Sequence, residues 1–98
     1  MEIIKLQEEK TATLKVIGRL DTITSADLEK AVLETVPGIE NLIFDFEDLD
    51  YISSAGFRVL LSTRNKNEGT LNIKILHLKD EVEELFDVTG FSDIFTIE

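Results

Sequence analysis

The 98-residue chain contains no cysteine, which removes disulfides, thiolate nucleophiles and cysteine-ligated zinc together and leaves the redox compartment unspecified. It has a single histidine, His77, too few for an imidazole-based metal site, and no apolar run approaches the roughly 18 residues of a membrane span. Proline is as scarce: Pro37 is the only one and stands beside Gly38, a break between two periodic segments. Basic residues are few as well, ten Lys and Arg against twenty Asp and Glu, for a formal net charge of −10. Such a field repels phosphate backbones and anionic lipid, and the bases, scattered from Lys5 to Lys79, form no patch to overcome it. The expectation is therefore no nucleic acid and no membrane insertion. The opening "MEIIKLQEEK" lacks a basic region followed by an apolar stretch, so the expected location is the cytoplasm.

Other signatures are missing too. Neither G-x-x-x-x-G-K-[ST] nor G-x-G-x-x-G occurs, so nucleotide binding has no support. The four acids of "DFEDLD" at 45–50 lack calcium-loop spacing and read as a solvated loop. No metal and no cofactor is expected.

What is present is an ordinary globular composition, 43% hydrophobic and 31% charged, on a length that suits one domain over residues 1–98. "EIIKL" and "TATLKVIG" read as a hairpin around the turn "QEEK", with Ala12, Leu14 and Val16 on one face. From Thr24 the period becomes helical, with Leu28, Ala31, Val32 and Thr35 or Val36 on one stripe. Thr24 and Asp27 suggest a capping box there, Ile23 and Leu28 a hydrophobic staple, and Pro37-Gly38 the end. "NLIFDF" at 41–46 suits a central strand buried on both faces. "AGFRVLLSTRNKN" reads as a second helix with Phe57, Leu60, Leu61 and Arg64 on one side, and "LNIKIL" as the next strand. "KDEVEELFDVTG" forms a third helix, with acids in its first turn and Gly90 as its stop, and "FSDIFTIE" supplies a terminal edge strand. Helices alternating with strands predict an α/β fold with a mixed, mostly parallel central β-sheet flanked by α-helices.

Function should gather where a central strand meets the next helix, and "DLDYISSAGFRVLL" at 48–61 is such a junction. The plain account of Ser53 and Ser54 is that one caps the helix. Catalysis by either is disfavoured, because His77 lies beyond the next strand and the pattern G-x-S-x-G is absent. The chain does not read as an enzyme. A phosphate at this junction would suit the free N–H groups and dipole of a helix start.

Two segments in order, "GRLDTITSADLE" at 18–29 and "LIFDFEDLDYISSAGFRVLL" at 42–61, resemble the STAS domains, and within them the bacterial anti-sigma factor antagonists. The first is close to that family's G-x-L-D-x-x-[ST]-x-x-x-[LF]. The resemblance implies a regulatory binding module. Its dephosphorylated form binds an anti-sigma factor that is also a serine kinase and so releases a sigma factor. Phosphorylation of one loop serine breaks that complex, and a PP2C-type phosphatase restores it. The acceptor lies two residues before the loop glycine, which matches Gly56, so the resemblance points to Ser54, with Ser53 as the alternative. Ser53 stands where these antagonists often carry Asp, and Ala55 where Ser or Thr is common. Asp21, Ser53, Ser54, Ala55, Gly56 and Arg58 form the implied contact surface of a protein that is a monomer when free. Asp21 is equally well read as a turn acid. The competing expectation keeps the fold without the switch: a constitutive STAS adaptor in a transporter or lipid-trafficking complex.

Overall fold

The computed structural model describes all 98 residues. Strand β1 (Glu2–Glu8) pairs antiparallel with β2 (Thr11–Leu20), Glu8 facing Thr11 across a two-residue turn. The expected turn "QEEK" thus shrinks to Glu9-Lys10, because Gln7 and Glu8 continue the ladder. Glu9 takes a φ of 56°, the hand that matches the twist of a hairpin. Helix α1 (Ser25–Thr35) leads to β3 (Asn41–Asp45), which lies parallel to β2. A short strand, β4 (Leu49–Ile52), then pairs with the last residues of β2, Gly18 to Leu20. Helix α2 (Ser54–Lys66), strand β5 (Asn72–Leu76), helix α3 (Asp80–Thr89) and strand β6 (Thr96–Ile97) complete the chain. The sheet order is β1-β2-β3-β5-β6, with β4 on β2, and all pairs except the hairpin are parallel.

Each crossover, β2 to β3, β4 to β5 and β5 to β6, steps the same way across the sheet. With right-handed connections this puts all three helices on one face. Burial agrees. Ala12, Leu14, Val16, Leu42, Phe44 and Ile75 are fully buried, whereas the alternate residues Thr13, Lys15, Asn41, Ile43 and Asp45 are only half-buried. The expectation that β3 is buried on both faces is therefore corrected: its second face has no helix over it.

Helix α2 is wedged between its neighbours, which widens its buried face to Gly56, Phe57, Val59, Leu60 and Thr63. Leu61 and Arg64, expected on that side, are half-buried at its margin. Phe57 meets Phe86 of α3 edge-on with ring centroids 4.9 Å apart, and Phe91 at 4.7 Å. Gly90 ends α3 at φ 82°, in the left-handed region that glycine enters without steric cost.

Candidate functional site

The site is built by two parallel strands that end side by side. Leu20 of β2 faces Ile52 of β4, and the Ser53 N–H donates to the Leu20 carbonyl at 2.8 Å. Asp21 and Ser53 thus leave the sheet together, each opening a helical segment. Gly56 locks the arrangement. A β-carbon there would lie 2.7 Å from Ile52 Cγ1 and 2.8 and 2.9 Å from Leu20 Cγ and Cδ2. Only hydrogen lets α2 sit this close to both strand ends.

Asp21 organises the entry to α1. Its Oδ1 accepts the N–H groups of Ile23 at 3.0 Å and Thr24 at 2.9 Å, while the Asp21 N–H donates to Thr24 Oγ1 at 2.8 Å. This is a reciprocal box in the turn before the helix, Asp21 with Thr24. The expected box of Thr24 with Asp27 does not form, because the Thr24 oxygen is already engaged and makes no cap bond to α1. The staple fails as well: Leu28 is buried, but Ile23 is 82% exposed. The hydrogen bonds from the Thr24 N–H and hydroxyl, aided by the Ile23 N–H and Arg19, hold the Asp21 carboxyl below its usual range despite some desolvation. It is an ionised, fixed acid beside the serine loop.

Ser53 occupies the N-cap position of α2 in extended backbone, and its carbonyl accepts the Phe57 N–H at 3.1 Å. Its hydroxyl makes no capping bond, and Ser53 Oγ is buried without a partner. The account of these serines as side-chain caps is thereby corrected. Ser54 is the first residue of the helix and is exposed. The N–H groups of Ser54, Ala55 and Gly56 precede the first intrahelical bond and find no acceptor in the protein. Arg58, also exposed, follows Ser54 by four residues and so shares its face of α2. One end of the molecule therefore gathers Asp21, Ser53, Ser54, Ala55, Gly56 and Arg58.

Sequence reasoning missed β4, which turns the loop before the serines into a strand that aims them. It also missed an ion pair below it: Lys79, at the start of α3, reaches Asp50 of β4 at 2.5 Å. The His77 Nδ1 lies 3.0 Å from Asp45 Oδ1. Burial opposes ionisation of Asp45, but the hydrogen bonds from His77 and the Glu47 N–H outweigh it and lower its pKa. His77 thus fastens the ends of β3 and β5 and lies outside the serine loop.

Residues 2–98 match the STAS domain family. The chain belongs to that family. Among its relatives is the anti-sigma-B factor antagonist of Staphylococcus aureus, 26% identical over 92 residues, spanning 92% of this chain and 85% of that protein. The fold is shared with an anti-sigma factor antagonist from Mycobacterium paratuberculosis, with a TM-score of 0.89 at 18% identity over 98% of this chain and 83% of the other. It is shared also with the Bacillus cell-fate determinant SpoIIAA in its phosphorylated form, with a TM-score of 0.76 at 15% identity over 99% of this chain and 91% of that one. The STAS fold thus accounts for the strand order and the position of the α2 junction. No helix of this chain is long and apolar enough to cross a membrane.

Proposed function

We propose that this STAS domain, residues 1–98, is an anti-sigma factor antagonist: a protein-binding module switched by phosphorylation of Ser54, not an enzyme. The observation that carries the reading is the exposed Ser54 hydroxyl at the first position of α2, beside three amide N–H groups without acceptors and one turn before Arg58. Relatives named as anti-sigma factor antagonists support it. In the dephosphorylated form the α2 junction, with Asp21, Ala55 and Gly56, docks a cytoplasmic anti-sigma factor that is itself a serine kinase and thereby frees a sigma factor. A phosphate on Ser54 adds about −1.5 to −2 charge and three acceptor oxygens, which a partner pocket shaped for a hydroxyl cannot accommodate. A PP2C-type phosphatase resets the monomeric antagonist. Ser53, with its hydroxyl buried, is the poorer acceptor.

Incubation with the anti-sigma kinase and ATP, followed by peptide mapping of residues 48–64, tests this. One phosphate on Ser54, abolished in Ser54→Ala and retained in Ser53→Ala, is the expected result. Stable kinase binding without transfer, and unaltered affinity in Ser54→Asp, would replace the switch with a constitutive adaptor.

A further inference from the structure

Helix α2 departs from the charge of the rest of the chain. It carries Arg58, Arg64 and Lys66, three of the ten basic residues, and none of the twenty acidic ones. Between α2 and α1 runs a groove made of two adjoining hollows that share Glu29, Val59 and Ser62 as lining. It opens at Ala55, the neighbour of Ser54, and passes Arg58. It then leads into a smaller pocket of about 210 Å³ lined by Val32, Leu33, Val36 and Pro37 on the α1 side and by Lys66 and Asn67 on the other. Leu33 is 60% exposed, an apolar side chain left mostly open to solvent. Arg58 and Lys66 are eight residues apart on one helix, about 12 Å along its axis. Glu29 is the only acid in the lining.

We infer that this groove receives an acidic amphipathic helix of the partner, with two acids about two turns apart on Arg58 and Lys66 and an apolar side chain between them in the Leu33–Val36 pocket. Charge complementarity selects this occupant. A basic or neutral helix gains nothing from the α2 wall and meets the field of a chain whose remaining charges are seven basic against twenty acidic. The inference deepens the proposed function and rests on it for the identity of the partner. The position of the groove gives the switch an electrostatic arm. A phosphate on Ser54 stands at the mouth, one turn from Arg58, so it neutralises that cation and repels the incoming acids.

Two measurements on the full chain test it. In the first, the 15N-labelled protein is titrated with a synthetic helical peptide bearing Glu at i and i+7 with Leu at i+3 and i+4, and with a twin in which Lys replaces both Glu. The acidic peptide should shift amide resonances along residues 26–37 and 55–67. Its binding should weaken about tenfold in Lys66→Glu and again as salt rises from about 50 to 300 mM. Equal binding of the twin, or shifts that miss the groove, would overturn the inference. In the second, affinity for the anti-sigma kinase is compared among wild type, Lys66→Glu and Lys30→Glu, a charge reversal on α1 outside the lining. A loss of about tenfold confined to Lys66→Glu supports the groove. Unaltered affinity in Lys66→Glu overturns it while leaving the serine switch standing. A wild-type chain that ignores the kinase defeats the proposed function, and the peptide titration still decides the groove.

Discussion

Gly56 is required for its lack of a side chain, since its backbone is ordinary helix and the constraint comes from Leu20 and Ile52 beneath it. Both neighbours are buried, so neither can swing into solvent to make room. Gly56→Ala should therefore cost about 1–3 kcal/mol through overpacking, in spite of the better helix propensity of alanine. A fall in the urea midpoint checks this, and an unchanged or raised midpoint would mean that α2 can slide off the strand ends. Asp21 makes a different demand, on charge. Its carboxyl titrates below the usual range when folded, so its stabilising contribution is fully present above the unfolded value of about 3.9. That contribution is lost as pH falls through the lower folded value. Asp21→Asn keeps an acceptor for the turn but cannot titrate. Its urea midpoint should decline less steeply than that of wild type between about pH 4.5 and 2.5. Parallel declines would show that the carboxylate gains nothing from its hydrogen bonds.

Among the elements, α2 is held from two sides, by α1 and by an aromatic contact with α3. Phe86 is fully buried and meets Phe57 edge-on. Phe86→Ala should destabilise the fold by about 3–5 kcal/mol. It should also loosen α2, visible as faster hydrogen exchange across residues 57–63; a loss of stability with exchange there unchanged would separate α3 from the site. The helices and long strands were legible because their periods are strong: Leu28, Val32 and Thr35 on α1, or Ala12, Leu14 and Val16 on β2. Strand β4 was not. Only four residues long, with Leu49 and Ile52 buried and Asp50 exposed, it lacks a clean period of two and owes its existence to the end of β2 that β3 leaves unpaired. Thr24 does stand at the N-cap position of α1, but its box partner is Asp21 and not Asp27, because Asp21 three residues earlier captures its N–H and hydroxyl first. Ser54 and Gly56 could be placed by motif alone. The buried Ser53 hydroxyl and the groove beside α1 could not, since both depend on how closely separate elements approach.

Over the whole molecule the surplus of acids works against compactness. The chain packs a net charge of −10 into a body of 12.2 Å radius of gyration. At about 10 mM ionic strength the Debye length is about 30 Å, so every acid feels every other; at about 150 mM it is about 8 Å and only near neighbours interact. The ion pairs act in the opposite sense, but Lys10–Glu40, Lys74–Glu98 and Lys79–Asp50 are all exposed, where each contributes about 0–1 kcal/mol. Repulsion summed over the molecule should outweigh them. The urea midpoint should rise as sodium chloride is added from about 10 to 150 mM and then level off once the screening length falls below the spacing of the charges. Glu84, exposed on helix α3, whose charged residues are all acidic, supplies the control: Glu84→Lys lowers the surplus and should start from a higher midpoint at low salt and climb less. A midpoint that falls with salt in both proteins would mean that the surface pairs, and not the net charge, govern the stability of this fold.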